Sequence, residues 1–148
     1  MTFKISEELI ETIKQHEGYR KAVYMDTLGK PTIGYGFLIE ALELEEDVCD
    51  TILNRKLEKL IDTIRFKFTW FDNMPDTAKD VIVNMSYQLG VNGFAKFSKT
   101  IQYFKNKEWN LGSKEMLRSK WYMQTPNRAK ELSEIIKSIE KKLDVINE

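Results

Sequence analysis

Apolar positions recur with a helical period over most of the chain. Ser6 stands ahead of Leu9, Ile10 and Ile13, an apolar stripe at helical spacing. It predicts an N-cap, with Glu7 and Glu8 well placed against the helix N-terminus. Gly18 predicts the stop. Continued by one more step, the stripe reaches Glu17, which puts a carboxylate on the face meant for burial. Leu44, Val48, Ile52, Leu57, Leu60, Ile61 and Ile64 sustain a longer stripe. They predict one helix from about residue 44 to about 67, long enough to join two lobes. Residues 69–75 read as a loop whose Trp70 and Phe71 plug the core. Asp76 predicts the cap of a helix running to about Leu89, with Val81, Ile82, Met85 and Leu89 inward and Gly90 as its end. Ser98 predicts the cap of a short helix, and residues 109–117 predict another, weakened by Gly112. Thr125-Pro126 marks the last helix, an N-cap followed by proline at the first helical position. Its stripe is Leu132, Ile135, Ile136, Ile139 and Leu143.

The period changes between the first two helices. Residues 22–26 read as a strand and residues 26–31 as a turn. Thr32 to Phe37 alternates as a second strand. One face would carry Thr32, Gly34 and Gly36, the other Ile33, Tyr35 and Phe37. A face with two glycines lacks bulk and invites close approach by a ligand. A weakly packed, bulged hairpin fits the same residues. The elements together predict an α+β fold, mostly α, with one small β region near the N-terminus.

Composition narrows the class. The chain has 148 residues, 42% hydrophobic and 31% charged, enough to bury a core as one domain or two small lobes. No apolar run approaches the length of a membrane span, and residues 1–20 carry charges throughout, so neither membrane insertion nor a standard secretory leader is expected. Cys49 is the single cysteine, which excludes an internal disulfide framework and is compatible with a reducing compartment. With one histidine besides, no zinc site is expected. The net charge is zero but uneven. Residues 1–75 hold 10 basic and 14 acidic side chains, a net of −4, and residues 76–148 hold 13 basic and 9 acidic, a net of +4. The basic half could meet an anionic polymer, although solvated helix faces explain the skew as simply. No compact Lys/Arg cluster with interleaved aromatics points to nucleic acid.

Three features remain odd, and they lie close together: Glu17 on an apolar stripe, Asp26 at a turn and Thr32 on the glycine face. Two carboxylates in unlike surroundings are the raw material of glycoside hydrolysis. One must hold a proton for the leaving oxygen, and Glu17, on an apolar face at the negative end of its helix, suits that task. The other must stay ionised, and Asp26, in a polar turn, suits that. Chance proximity of carboxylates is the competing explanation. Arg128 adds a fourth oddity, because a cation in the first turn of the last helix opposes the helix dipole. Either it is a tolerated surface charge or it has a carboxylate partner elsewhere.

These residues resemble the active-site signature of the T-even bacteriophage lysozymes, endolysins that cut cell-wall peptidoglycan. The resemblance rests on His16-Glu17-Gly18, Tyr24-Met25-Asp26-Thr27, Gly29 and Thr32-Ile33-Gly34-Tyr35-Gly36. The family pattern is Glu, eight residues, Asp, five residues, Thr, and both spacings are kept by Glu17, Asp26 and Thr32. A second stretch agrees independently. Asn84-Met85 with Gln88-Leu89-Gly90 resembles the family's central core helix, and residues 119–130 (SKWYMQTPNRAK) resemble its C-terminal signature.

The resemblance implies a lysozyme-like fold. A small β-containing lobe would span about residues 14–43, a connecting helix about 44–67 and a helical lobe about 68–148, with the N-terminal helix packing on the helical lobe. It also implies roles. Glu17 would be the general acid, Asp26 would act on the opposite sugar face, and Thr32 would position the water. Arg128 would pair with Glu17. Gln88 and Trp121 would be hydrogen-bonded neighbours, and Gly36 would support the site. Leu38, Tyr87, Thr100 and Glu115 match positions that line the family's cleft. Tyr87 replaces a phenylalanine, Thr100 a serine and Glu115 an asparagine. Phe37 stands where the family has a histidine of a structural ion pair, so that pair does not form here. The stretch between the lobes is shorter than in the family.

The implied activity is hydrolysis of the β-1,4 bond between N-acetylmuramic acid and N-acetylglucosamine, with no metal or organic cofactor. A lytic transglycosylase would cleave the same bond using a muramic hydroxyl in place of water, but it needs only one catalytic carboxylate. A wall-binding or virion protein of the same fold would not need all three residues. The resemblance further implies a monomer, made in the host cytoplasm, that reaches bacterial peptidoglycan through a separate membrane-pore protein (a holin) and brings about host cell lysis.

Overall fold

The computed structural model of the chain describes residues 3–147 and is mostly helical. In chain order the elements are α1 (Glu7–Glu17), β1 (Arg20–Met25), β2 (Pro31–Gly34), β3 (Phe37–Leu38), α2 (Glu46–Lys67), α3 (Asp76–Leu89), α4 (Val91–Ala95), α5 (Ser98–Lys105), α6 (Trp109–Met116), α7 (Lys120–Gln124) and α8 (Pro126–Asn147). Contacts divide them into two compact units, Met1–Cys49 and Asp50–Glu148. The boundary falls inside α2, after its fourth residue.

The first unit holds α1 and a three-stranded antiparallel sheet in the order β1-β2-β3. Ser6 caps α1 by accepting from the Leu9 N–H at 3.1 Å, a bond worth about 1 kcal/mol. Gly18 ends the helix at φ +71°, its N–H donating to Lys14 O at 2.8 Å. β1 and β2 pair through Arg20↔Gly34, Tyr24↔Thr32 and Met25↔Pro31, with a register irregularity between Arg20 and Tyr24. β2 and β3 pair through Thr32↔Leu38 and Ile33↔Phe37.

The single strand expected over residues 32–37 is broken. β2 ends at Gly34, and Tyr35 and Gly36 form a turn, with Gly34 and Gly36 at φ +70° and +73°, left-handed values that glycine adopts readily. The glycine face is therefore not a strand face. The apolar stripe of α1 is not covered either: Leu9, Ile10 and Ile13 are exposed and the helix has no buried residue.

The second unit is built on apolar packing. In α3, Ala78, Val81, Ile82 and Met85 fall at i, i+3, i+4 and i+7 and are buried. In α8, Ala129, Leu132, Ile136 and Ile139 form the matching buried face, while the side chain of Leu143 lies outside the described residues. α8 packs against α3, α6 and α7. Phe71 is buried and Trp70 packs half-buried on the same core. Gly112 in α6 has a packing reason. A Cβ there would come within 2.9 Å of the Phe104 ring, so glycine lets α5 and α6 approach.

Two caps differ from expectation by one residue. Pro75, not Asp76, precedes α3, and Phe97, not Ser98, precedes α5. Thr125 precedes α8, but its hydroxyl donates back to Trp121 O at 3.1 Å. The five-residue helices α4 and α7 have no counterpart in the apolar pattern, which needs longer runs to show a period.

Candidate active site

The turn between β1 and β2 is organised by Asp26. Its Oδ1 accepts from the Leu28 N–H and the Lys30 N–H, each at 2.8 Å. Its own N–H donates to Lys30 O at 2.9 Å, and its carbonyl accepts from Gly29 N–H at 3.0 Å. An aspartate that bonds backbone two residues on is the usual device of such turns. Two donors on one oxygen fix the plane of the carboxylate. Among the described residues Oδ2 receives no hydrogen bond, so this oxygen is free for chemistry.

Thr32 is buried on the central strand, 2% exposed. Its hydroxyl donates to Lys30 O at 2.9 Å. One carbonyl oxygen thus accepts from both the Asp26 backbone N–H and the Thr32 hydroxyl, which ties the Thr32 side chain to the turn that carries Asp26. A hydroxyl has one donor and two acceptor positions. With its hydrogen given to Lys30, Thr32 is left to accept. Leu38 pairs with Thr32 across the sheet and is half-buried. Pro31 holds the preceding Lys30 in extended backbone, and the Lys30 ammonium reaches Glu40 Oε1 at 3.3 Å.

Glu17 is the last residue of α1, and it is exposed rather than turned to a buried side. Gly36 leaves room for its side chain. A Cβ on that residue would overlap the Glu17 carboxylate, at 2.9 Å from Cδ. A Cβ on Gly34 would likewise meet the Phe37 ring at 2.8 Å. The space beside both glycines is thus taken by the chain's own side chains, not left open for a ligand. Tyr35, in the same turn, lies 5.6 Å from the Tyr19 ring and 5.5 Å from the Lys14 ammonium, which fastens the turn to the end of α1.

The remaining candidates lie in the second unit. Arg128 donates from Nε (2.9 Å) and Nη2 (2.6 Å) to Asn84 Oδ1, and from Nη2 to Asn84 O at 3.3 Å. An amide partner thus accommodates the cation at the start of α8. Trp121 Nε1 donates to Gln88 Oε1 at 2.8 Å, and Gln88 Nε2 reaches Thr125 Oγ1 at 3.4 Å. This chain of half-buried polar groups links α3, α7 and the start of α8. Thr100 and Glu115 line one cavity of about 570 Å³, with Lys96, Lys99, Arg118 and Lys120 around it. Tyr87 is exposed on α3 and is not among the residues lining that cavity.

Sequence reasoning missed the Lys30 carbonyl and Asn84 as organising groups. The first acts through its backbone, so residue type carries no signal beyond the proline that follows it. The second sits four residues before Gln88, one turn away on the same face of α3, a spacing that could have marked it. Among the described residues no three His, Cys, Asp or Glu side chains gather as a metal site, and no helix is long and apolar enough to cross a membrane.

A turn-held aspartate, a buried threonine tied to it and a glutamate lodged against a glycine turn are groups suited to hydrolysis at a sugar carbon. Residues 14–137 match the family model described as phage lysozyme. The chain belongs to the phage lysozyme family. It is similar to two proteins of Dictyostelium discoideum. One is named probable T4-type lysozyme 1 (28% identical, covering 86% of this chain and 92% of the relative). The other is named probable T4-type lysozyme 2 (29% identical, covering 82% and 88%). It is also similar to the pre-baseplate central spike protein Gp5 of Enterobacteria phage T4, at 29% identity over 86% of this chain but only 27% of that protein. Family membership makes the chain an enzyme, a lysozyme of α+β fold, and its substrate class peptidoglycan.

Proposed function

We propose that this lysozyme hydrolyses the β-1,4 bond between N-acetylmuramic acid and N-acetylglucosamine, with Glu17 as general acid and Asp26 and Thr32 acting on the water. The observation that supports the reading is the turn around Lys30: its carbonyl accepts the Asp26 backbone N–H and the Thr32 hydroxyl, and its N–H donates to Asp26 Oδ1. Glu17 gives its proton to the glycosidic oxygen as the bond from the anomeric carbon breaks. A water attacks that carbon from the other face. One of its hydrogens points to Asp26 Oδ2, which takes the proton, and the other to Thr32 Oγ1, which can only accept. General acid–base assistance of this kind contributes about 10²–10⁴-fold. Leu38, Tyr87, Thr100 and Glu115 contact the polymer. Arg128 supports the second unit through its bonds to Asn84, so Arg128→Ala should lower the thermal melt while the chain still folds; an unchanged melt would mean that these bonds carry no stability. Gln88 and Trp121 hold the second unit together.

Mass spectrometry of muropeptides released from purified peptidoglycan tests the reaction. Hydrolysis leaves reducing muramic ends. Anhydro ends would replace this reading with a lytic transglycosylase.

The biological setting we infer is degradation of the host wall for lysis, by a monomer made in the cytoplasm and given access by a membrane-pore protein. No metal or organic cofactor takes part. Similarity to a central spike protein favours a second setting for the same chemistry, a lysozyme carried in the virion. The presence of the chain in purified particles would decide for that second setting.

A further inference from the structure

A second cavity, of about 410 Å³, lies within the second unit, beside the start of α3 and the far part of α8. Its size is that of a ligand pocket. None of the residues proposed for hydrolysis lines it. Met74, Pro75, Trp109 and Ile139 give it an apolar wall, and the charged residues that line it are Lys107 and Lys142. Neither ammonium has an ion-pair partner among the described residues.

Two further observations point to an acidic ligand. Trp109 is 1% exposed, and its indole Nε1 is buried with no hydrogen-bond acceptor among the described residues. A buried N–H without an acceptor costs stability, and the cost is lifted when an oxygen arrives. Lys107 is the one non-glycine residue with a positive φ among the described residues, at +60°. It follows α5 at a place where glycine or asparagine is usual, because a Cβ is crowded there. A lysine at that place costs the fold stability, and its ammonium bonds to no described group in return. A ligand that brings an acidic oxygen into the cavity offsets both costs.

We propose that this cavity binds a small amphipathic anion. Its carboxylate or phosphate oxygens accept from the Trp109 indole N–H and from the ammonium groups of Lys107 and Lys142, and its apolar body lies against Met74, Pro75 and Ile139. A neutral sugar lacks the charge, and an inorganic anion lacks the body. The site is separate from the proposed hydrolysis and does not depend on it. The bound molecule joins the segment before α3, the connection between α5 and α6, and α8, so it stabilises the second unit.

The test is an NMR titration of protein isotope-labelled at the tryptophan indole nitrogens. Octanoate is the probe, with octanamide as body without charge and acetate as charge without body. Octanoate should move the Trp109 indole N–H resonance downfield and leave that of Trp121, whose Nε1 already donates to Gln88 at 2.8 Å, in place. Each control should bind at least about tenfold more weakly. Octyl phosphate in place of octanoate shows which acidic group fits better. Lys142→Ala should weaken octanoate binding about tenfold, the loss of one charge-assisted contact, with wall hydrolysis unchanged. Lys107→Gly should weaken it as well, yet raise the melt of the unliganded protein, because glycine takes that φ freely. Absence of octanoate binding, equal binding of octanoate and octanamide, binding indifferent to both lysines, or an unmoved Trp109 resonance would each overturn the proposal.

Discussion

The two units place their functional groups by different physics. Among the described residues of the first unit, Thr32 alone is buried. Every buried apolar residue described lies between Ile64 and Ile139. In the first unit position comes from hydrogen bonds and backbone geometry: Asp26 Oδ1 holding two N–H groups, Lys30 O accepting twice, and glycines at positive φ. In the second unit position comes from interlocked side chains on α3, α5, α6 and α8, with one polar run from Trp121 through Gln88 to Thr125. Hydrogen-bonded turns hold a carboxylate in place while leaving it wet, which acid–base chemistry with water requires. Packed helices give the stability that such a turn cannot supply.

Substitutions on the two sides should separate these contributions. The largest effect on stability belongs to the packed side. Ile136→Ala, at a fully buried site, should lower unfolding free energy by about 2–5 kcal/mol in a urea melt. The rate of wall hydrolysis per folded molecule should hold, because none of the proposed catalytic groups packs there; a rate falling with stability would couple core to catalysis. Next comes the turn. Asp26→Asn keeps an acceptor for the Leu28 and Lys30 N–H groups, so it should fold like wild type yet hydrolyse at least about tenfold more slowly. Asp26→Ala should lose activity as well and also cost about 1–3 kcal/mol, from the unpaired N–H groups. Equal melts for the two would mean that the side chain does not hold the turn. A smaller effect on stability than that of Asp26→Ala is expected at Gly36. Gly36→Ala should cost about 1–2 kcal/mol, for a left-handed residue with a Cβ. Because that Cβ would meet Glu17, activity should fall further than stability. A lowered melt with an unchanged rate would show that the glycine serves the turn alone.

What could be read from the residues follows from how local each cause is. Ser6, Gly18 and Gly90 were legible as helix ends because a cap is decided by a few neighbouring residues. The long α2 and the inward faces of α3 and α8 were legible because each runs several turns. Asp76 and Ser98 were misplaced by one residue, since polar residues serve a first turn as readily as a cap. Thr32 to Phe37 reads as one strand, but β2 ends at Gly34 and Tyr35 and Gly36 turn. Alternation of residue types cannot distinguish the two. In the site, the spacing of Glu17, Asp26 and Thr32 marked the candidates. The Lys30 carbonyl that ties Thr32 to the turn of Asp26, the room that Gly36 leaves for Glu17 and the Asn84 amide that holds Arg128 are tertiary facts. Backbone groups and residues distant in the chain leave no local pattern.

The central claim is that an exposed glutamate at the end of α1 supplies the proton. It is tested most directly by Glu17→Gln, measured for muropeptide release from purified peptidoglycan beside a thermal melt. No group of the fold is hydrogen-bonded to that carboxylate among the described residues, so the melt should match wild type. Release should fall by about 10²–10⁴-fold. Release at the wild-type rate from a normally folded variant would contradict the account.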